Sequence, residues 1–361
     1  MPGNSARKLF PGSPKYNCAM RHTPAAAFYT DPARLRSEQA EVFTRAWQLV
    51  GHVGQLSNPG DYFTTRLGRE PLLFTNDGGT LRGFFNVCRH RAGPVAQGCG
   101  SAQRLSCRYH GWTYDLAGQL LRTTEMEGAD FDPTHIRLQP VGVHQFGPLL
   151  FAALDPATPS FDTLFPGVTE RCAPLALERM RYVTTRSYPV KANWKAYVDN
   201  YLEGYHIPLV HPGLNREINY RQYATELAER YVLQYAPVRE GTAEFYKGAS
   251  GDGQAYYYWL FPNLMLNIYE GQMQTNVVIP VDVDHTIVRF DWFSPEPIPD
   301  PETDRRWREL THFSEQVQAE DAGICETVQF NFGSRAYRPG PYSPKRESGV
   351  QLFHSLMNAW G

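Results

Sequence analysis

The stretches NVCRHRAGPVAQGC (residues 86–99) and LSCRYHGWTYDLAGQL (residues 105–120) decide the fold of this chain of 361 residues. Each stretch contains one cysteine and one histidine close together, as Cys88-Arg-His90 and Cys107-Arg-Tyr-His110. Sixteen residues separate His90 from Cys107. Each pair offers one thiolate and one imidazole, which are both common metal ligands. The pattern therefore indicates a metal centre held between two loops.

Two thiolates on one iron and two imidazoles on the other form a Rieske [2Fe–2S] centre, and the neutral imidazoles raise its reduction potential. We therefore expect Cys88, His90, Cys107 and His110 to bind such a cluster, which would relay single electrons. A structural zinc site is the alternative. Zinc sites with these residue types usually run Cys-x2-4-Cys and then His-x3-5-His, whereas each pair here mixes the two types. The ligand pattern favours the cluster.

The composition is that of a globular protein, with 42% hydrophobic and 20% charged residues, and the length favours two domains. A net charge of −2 gives no electrostatic reason to expect nucleic acid or an anionic membrane as a partner. The sequence contains no apolar run of about 18 residues, so no membrane span is predicted. The N-terminal sequence MPGNSARKLFPGSPKYN has no apolar core typical of a secretory signal.

Cysteine usage favours a reducing compartment. Six cysteines in a chain of this size do not indicate a disulfide framework. We expect Cys18, Cys99, Cys172 and Cys325 to be free thiols, two or more of them buried. A cytoplasmic location fits both the free thiols and an iron–sulfur cluster.

The first half of the chain predicts a small antiparallel β domain over residues 46–155, with the two ligand pairs on loop tips. A helix is predicted from Asp31 to Trp47, because Asp31-Pro32 is a typical N-cap followed by proline. We expect the N-terminal segment, residues 1–45, to pack on the second domain. The likeliest linker by composition is Asp155–Ser160.

The second half, residues 160–361, predicts a catalytic domain of helices packed on an antiparallel sheet, so that the whole chain is α+β. Two helices should come first, followed by strands from about Tyr231 and one long helix from about Pro301 to Phe330. The predicted strands are dense in β-branched and aromatic residues: YYYWLFP (256–262), LMLNIY (264–269), QTNVVIPV (274–281) and HTIVRFDWFS (285–294).

A second metal site is indicated by NWKAYVDNYLEGYHIPLVHPGL (residues 193–214). Asn193 is a candidate N-cap for a helix. The apolar face of this helix would carry Trp194, Tyr197, Tyr201 and Tyr205. Asn200, Glu203 and His206 follow at i, i+3 spacing and would share a second, polar face.

His206 and His211 are five residues apart, which would separate them by about 140° on an ideal helix. Pro208 and Pro212 should break or bulge the helix, because proline removes a backbone donor. The break would bring His211 beside His206. Two histidines and one carboxylate form the facial triad of non-haem Fe(II) oxygenases, which leaves positions open for O2.

Together these motifs resemble the α-subunits of the Rieske non-haem iron oxygenases. The resemblance rests on Phe84–Leu120 for the cluster domain and on Asp199–His211 for the iron-binding helix. It implies a Rieske [2Fe–2S] cluster, a mononuclear Fe(II) held by His206 and His211, and O2 as co-substrate. It also implies a carboxylate ligand from a helix near the C-terminus. QAEDAGICE (residues 318–326) is similar to that region, with Asp321 as the expected ligand and Glu320 as the alternative.

Glu203 departs from the pattern of the dioxygenases in this family, which commonly have aspartate three residues before the first histidine ligand. In the family that carboxylate links a histidine of the iron site to a cluster histidine of the neighbouring subunit. Glutamate at this position resembles the branch that oxidises quaternary ammonium compounds such as choline and carnitine. The resemblance thus implies a catalytic role for Glu203, beside Asn200.

The expected function is the catalytic α-subunit of a Rieske oxygenase that hydroxylates or oxidatively dealkylates a small organic substrate. NAD(P)H electrons would arrive through a separate reductase, possibly with a ferredoxin, because no glycine-rich dinucleotide fingerprint follows a strand. The family assembles as rings, so we expect a homotrimer.

On Glu203 alone we favour a quaternary ammonium or other small polar substrate. The alternative is an aromatic ring, and a different class of function is a Rieske electron carrier without oxygenase activity. A cation would need an aromatic cage. The candidate cage residues are Tyr205, Tyr256, Tyr257, Tyr258, Trp259, Tyr269 and Trp292.

Overall fold

Two compact units make up the computed structural model, which describes residues 20–241, 243, 245–247, 253–295 and 301–359. The first unit comprises Gln39–Phe161 and Ala176–Tyr182, and the other described residues form the second. Residues 20–38 thus belong to the second unit and residues 39–45 to the first. The rest of the expected N-terminal segment, with Cys18, lies outside the described residues.

The first unit is built on a sheet of seven antiparallel strands and a second sheet of three. The order in the larger sheet is Gln48–His52, Leu149–Ala153, Pro140–Phe146, Thr80–Phe85, Glu70–Asp77, Asp61–Leu67 and Cys99–Ser101. The smaller sheet joins Arg104–Ser106, Thr113–Asp115 and Leu120–Arg122. Short helical turns lie at Val53–Leu56, Pro133–His135 and Leu177–Arg179. The predicted antiparallel β domain is confirmed.

The core of the first unit reaches the ligand loops. One buried cluster includes Leu72, Phe74 and Leu150 in the larger sheet. A second cluster contains Cys88 and Cys107 themselves, together with Leu105, Trp112, Tyr114 and Leu120. Because the two cysteines are part of this core, their sulfur atoms are removed from water.

The second unit contains one antiparallel sheet of seven strands. Its order is Arg181–Val190, Thr286–Ser294, Gln272–Pro280, Leu264–Tyr269, Gln254–Leu260, Tyr231–Pro237 and Ala224–Leu227. The four strands quoted from the sequence are confirmed, and Tyr231–Pro237 begins at the predicted start of the strands, whereas the two outer strands were not predicted. Both outer strands are rich in polar residues, with few fully buried positions, so they give a weak apolar signal.

The iron-site candidates lie on helices of the second unit or in the residues next to them. The longest is Pro301–Phe332, close to its predicted limits. The helical segments elsewhere in the described chain are Ala27–Thr30, Pro32–Ser37, Glu38–Val42 (a π turn), Phe161–Leu164, Val168–Cys172, Ala173–Leu175, Trp194–Tyr201, Ile207–Val210, Leu214–Glu217, Tyr220–Gln222 and Ser348–Asn358. Among the described residues, no helix is both long enough and apolar enough to span a membrane.

Two helix predictions need correction. The helix expected from Asp31 to Trp47 has the predicted cap, since the Asp31 carboxylate accepts from Ala33 N at 2.7 Å, but it turns into a π turn at Glu38 and ends at Val42. Glu38 is buried there against Lys195, 2.7 Å from its Nζ. The C-terminal helix Ser348–Asn358 was not predicted.

Cys99, Cys172 and Cys325 are free, which confirms the expected free thiols within the described residues. Cys172 and Cys325 are buried and Cys99 is exposed. The α+β fold class, a cluster domain plus a catalytic domain of helices and antiparallel strands, is also confirmed.

Candidate metal centres and active site

The two cysteine–histidine loops have the same backbone hydrogen bonds. Cys88 N donates to Gly93 O at 2.9 Å, and Ala92 N donates to Cys88 O at 3.0 Å. In the second loop Cys107 N donates to Trp112 O, and Gly111 N donates to Cys107 O, both at 2.9 Å. Each loop therefore closes over five residues and presents its histidine beside its cysteine.

The two loops approach each other closely at positions with small side chains or none. The residue four after each cysteine has a positive φ, 58° at Ala92 and 72° at Gly111, a backbone conformation that glycine adopts most easily. A Cβ on Gly93 would lie only 2.8 Å from the Cys107 sulfur. Any larger residue at position 93 would therefore press on a ligand atom of the opposite loop.

The four predicted cluster residues lie together at these loop tips. Cys88 and Cys107 are buried, and the rings of His90 and His110 have centroids 4.6 Å apart. His90 stacks on Trp112 at 4.8 Å, and its Nδ1 is buried without a hydrogen-bond partner among the described residues. A buried imidazole nitrogen with no partner, near a second imidazole and two buried thiols, fits a metal cluster.

Tyr114 lies at the same centre and was not among the predicted site residues, although it falls within the quoted motif of residues 105–120. Its hydroxyl lies 3.3 Å from the Cys88 sulfur and accepts from Arg89 N at 3.1 Å. Burial, and then the hydrogen bond to Cys88, raise the pKa of Tyr114. The hydroxyl therefore keeps its proton and can donate a hydrogen bond to the sulfur.

The second site forms where a helix stops earlier than predicted. Trp194–Tyr201 has Asn193 as its N-cap, which accepts from Lys195 N at 3.1 Å and confirms the predicted cap. The helix ends before Glu203, so Asn200, Glu203 and His206 do not share one helical face as expected. Glycine at position 204 disfavours helix, and the Glu203 carboxylate accepts from the backbone amides of Tyr205 and His206.

His206 and His211 are the N-cap and C-cap residues that flank the short helix Ile207–Val210. Pro208 occupies the first turn of this helix, where proline is tolerated. It therefore does not itself interrupt a helix, as had been predicted. His211 leaves the helix with φ −119° and ψ 71°. The two rings end 5.0 Å apart, as the predicted convergence requires.

Asp321, on the long helix, faces the Nε2 atom of each histidine. Its Oδ1 lies 3.0 Å from His211 Nε2 and 3.6 Å from His206 Nε2. Asn200 Nδ2 donates to the same oxygen at 2.5 Å. One atom from each of His206, His211 and Asp321 lies within 4.8 Å of the others, so the three could hold one metal ion.

Two glutamates bind the opposite nitrogens of these rings. Glu203 Oε1 lies 2.7 Å from His206 Nδ1, and Glu320 Oε2 lies 2.7 Å from His211 Nδ1. Carboxylates in this position fix the orientation of metal-binding imidazoles and make them more basic. Burial opposes the charged form of His211, but its bonds to Asp321 and Glu320 outweigh burial and raise its pKa.

A cavity opens beside these residues. Five of the six candidate residues of this site line the cavity, and Glu320 does not. The cavity is lined by Tyr197, Asn200, Tyr201, Glu203, His206, Ile207, His211, Leu214, Tyr223, Tyr246, Tyr257, Asn267, Tyr269, Gln274, Asn276, Phe290, Ser314, Val317, Gln318 and Asp321.

Tyrosines form one side of the cavity. The rings of Tyr246 and Tyr269 stack at 3.8 Å, and the Tyr269 hydroxyl donates to Tyr257 at 3.2 Å. Burial raises the pKa of all three hydroxyls, so the rings remain neutral. This group, Tyr246, Tyr257 and Tyr269, is called the tyrosine cluster below.

Only part of the predicted aromatic cage lines this cavity. Tyr257 and Tyr269 do, whereas the other candidates are absent from its wall: Tyr205, Tyr256, Tyr258, Trp259 and Trp292. Alternation along the strand turns Tyr256 and Tyr258 away from the face that carries Tyr257. Tyr205 is exposed to solvent, and Tyr246 was missed because it lies between strands.

Comparison with protein families assigns both units. Residues 46–139 match the Rieske [2Fe–2S] domain, and residues 177–360 match the catalytic domain of the ring-hydroxylating alpha subunit. The match to the second family spans just over half of the chain.

Related proteins include choline and carnitine monooxygenases. A chloroplastic choline monooxygenase of Arabidopsis thaliana is 33% identical over 359 residues, which is 96% of this chain and 84% of that protein. The oxygenase subunit of carnitine monooxygenase from Escherichia coli K12 is 31% identical, over 93% of this chain and 92% of that protein.

Solved structures repeat the same fold. A quaternary ammonium Rieske monooxygenase in complex with L-carnitine superposes with a TM-score of 0.83 at 25% identity, over 97% of this chain and 99% of the other. A naphthalene 1,2-dioxygenase with phenanthrene bound superposes with a TM-score of 0.76 at 18% identity, over 94% and 92% of the two chains. The second likeness is one of fold alone.

Proposed function

The chain belongs to the Rieske non-haem iron oxygenases, and we propose that it is the catalytic subunit of a monooxygenase that acts on a small quaternary ammonium compound. The observation that carries this proposal is the position of the tyrosine cluster in the same cavity as His206, His211 and Asp321. A cation held by the tyrosines would lie beside the candidate metal ligands.

We assign the ligands of the [2Fe–2S] cluster as Cys88 and Cys107 on one iron and His90 and His110 on the other. His206, His211 and Asp321 would hold the mononuclear iron. When bound, these groups supply single electrons and activate O2. The chain's own part is to fix the imidazoles, bury the thiolates and keep the substrate in a cavity shielded from water.

Support for Asp321 over Glu320 comes from which nitrogen each carboxylate faces. Asp321 lies between the Nε2 atoms of both histidines, while Glu320 contacts only Nδ1 of His211. Two imidazoles can share a metal only on the side where their nitrogens converge. Glu320 and Glu203 would then orient the ligands from behind.

The substrate class rests on charge and aromatic faces. Tyrosine rings attract a quaternary ammonium group through their negative faces. The cavity also contains the carboxylates of Glu203 and Asp321. The similar proteins that are named for choline and carnitine act on compounds of this class. An aromatic hydrocarbon would use the rings but would gain nothing from the carboxylates.

The finer features of the assembly are also proposals. We expect a separate reductase, with or without a ferredoxin, to deliver NAD(P)H electrons, because the sequence has no dinucleotide fingerprint. We expect a homotrimer in which the cluster of one subunit serves the iron of the next, and a cytoplasmic location. Two exposed apolar residues follow Glu203 in the chain and are candidates for such an interface, Tyr205 at 55% and Leu209 at 86% exposure.

A substrate panel tests the proposed function. The purified protein is combined with an electron-donating reductase, and NADH and O2 consumption are followed with choline, carnitine, glycine betaine and naphthalene. Product formation, measured by mass spectrometry, should accompany consumption with at least one ammonium compound. Turnover of naphthalene alone would favour the aromatic alternative. Reduction of the cluster without turnover of any compound would favour an electron carrier.

A further inference from the structure

Gln318 lies on the cavity-facing side of the long helix Pro301–Phe332. Ser314, Val317, Gln318 and Asp321 all line the cavity, and their spacing places them on one face of that helix. Gln318 is three residues before Asp321, about one helical turn away. It is also 2% exposed, so its side chain is removed from bulk water.

The amide of Gln318 is only half satisfied. Its Oε1 accepts a hydrogen bond from the Tyr197 hydroxyl. Its Nε2 is buried and has no hydrogen-bond partner among the described residues. Burial raises the pKa of Tyr197, so this hydroxyl keeps its proton and fixes the amide with its nitrogen turned away. An unsatisfied buried donor is costly, and an acceptor oxygen on a ligand would remove that cost.

The charges around the cavity indicate which kind of oxygen fits. The described wall contains two carboxylates, those of Glu203 and Asp321, and the two candidate imidazole ligands. The remaining polar groups are hydroxyls and amides. Three of these groups form a chain, in which Ser314 Oγ donates to Gln274 Oε1 and Gln274 Nε2 donates to Asn276 Oδ1, both at 2.7 Å.

A carboxylate on the substrate would be buried against this wall without a lysine or arginine among its described residues. Burial of an unpaired charge is far more costly than burial of a hydroxyl that makes a hydrogen bond. The wall therefore favours an uncharged oxygen.

We propose that Gln318 determines specificity by donating a hydrogen bond to an uncharged oxygen of the substrate, and that the enzyme prefers a quaternary ammonium alcohol to a quaternary ammonium carboxylate. This inference rests on the proposed function, because it assumes that an ammonium compound enters the cavity. The ammonium group would contact the tyrosine cluster while its oxygen contacts Gln318.

Three ligands of similar size test the inference by binding rather than by turnover. Choline has a hydroxyl, trimethylpropylammonium has a methyl group in its place, and glycine betaine has a carboxylate. Their dissociation constants are measured by calorimetry on the metal-loaded holoenzyme without O2. Choline should bind about tenfold more tightly than trimethylpropylammonium, and glycine betaine should bind least tightly.

The variant Gln318→Leu removes the donor at similar volume. It should weaken choline binding by about tenfold and leave trimethylpropylammonium nearly unchanged, so that the two ligands become equivalent. Gln222→Leu, which changes an exposed glutamine away from the cavity wall, is the matched control and should change neither constant. A thermal unfolding transition checks that both variants fold.

The comparison of ligands on the unmodified enzyme does not depend on any variant. Equal affinity for choline and trimethylpropylammonium, or tighter binding of glycine betaine than of choline, would overturn the inference and leave the proposed function standing. Failure of all three ammonium compounds to bind would count against the proposed function itself.

Discussion

Glu203 Oε1 lies 2.7 Å from Nδ1 of His206, so the carboxylate holds the imidazole from the side opposite Asp321. The other oxygen, Oε2, accepts from the backbone amides of Tyr205 and His206. A carboxylate has about four lone-pair sites, so three of them are used within the chain. The resemblance led us to expect an oxygen free for the neighbouring subunit's cluster ligand. The link to the neighbouring subunit remains a prediction. The Glu203 carboxylate has about one lone pair left to form it.

Changing Glu203 should slow electron transfer without removing either metal. Glu203→Gln keeps the length but loses the charge, and the loss of such a partner typically costs 10–100-fold in activity or metal affinity. Glu203→Asp keeps the charge with a shorter reach and should retain partial activity. The measurement is reoxidation of the reduced cluster after substrate and O2 are added. Reoxidation of Glu203→Gln at the unmodified rate would show that Glu203 does not link the sites.

Asp321 and Glu320 should differ sharply when each is changed to alanine. Asp321→Ala removes one of three protein ligands and should abolish the mononuclear iron and turnover while the cluster stays reducible. Glu320→Ala should keep the iron, with weakened affinity, because Glu320 contacts only the outer nitrogen of His211. Iron analysis should give about three irons per chain in the unmodified protein and about two in Asp321→Ala. The opposite result for the two variants would make Glu320 the ligand.

Tyr114→Phe should lower the reduction potential of the cluster. The hydroxyl lies 3.3 Å from the Cys88 sulfur, and a hydrogen bond to sulfur stabilises the more negative, reduced state. If that bond is stronger by about 1 kcal/mol in the reduced state, the potential should fall by roughly 40 mV. Redox titration followed by visible absorbance gives the value. Cys88→Ser should lose the spectrum altogether, and an unchanged potential in Tyr114→Phe would exclude the hydroxyl as a tuning group.

Mixing two inactive chains should restore activity if electrons cross between subunits. Cys107→Ala should lack the cluster, and His206→Ala should lack the mononuclear iron. In a mixed ring, an intact cluster on one chain would lie next to an intact iron site on its neighbour. Activity is measured after the two variants are dissociated and reassembled together, with each reassembled alone as the control. Full activity of the unmodified protein as a monomer would contradict this arrangement.

The sequence predicted both candidate metal centres because the residues proposed as ligands lie in short, distinctive motifs. Spacing and ligand chemistry were enough to predict the cluster site from Cys88 to His110. The pair His206 and His211 became a predicted iron site because the first motif was present. Asp321 could not be separated from Glu320 in the sequence, since adjacent acids differ only in the direction that each faces on a helix. That direction is fixed by the packing of the long helix against Trp194–Tyr201, where Asn200 contacts Asp321.

The cavity wall was harder to predict than the metal ligands. Tyr246, Gln274, Asn276 and Gln318 come from three separate parts of the chain and are brought together only by tertiary packing. Predictions of where helices end were also wrong where a local contact competes with helix formation. Glu203, for example, bonds the amides of Tyr205 and His206 instead of continuing the helix.

The most direct test of the central claim is a single turnover. The cluster is reduced, excess reductant is removed, and O2 is added with or without choline, while cluster absorbance and choline consumption are followed together. Fast reoxidation that requires choline and converts it, and that is lost in His206→Ala, is the predicted result. Reoxidation at the same rate with and without any quaternary ammonium compound, and with none consumed, would contradict the account.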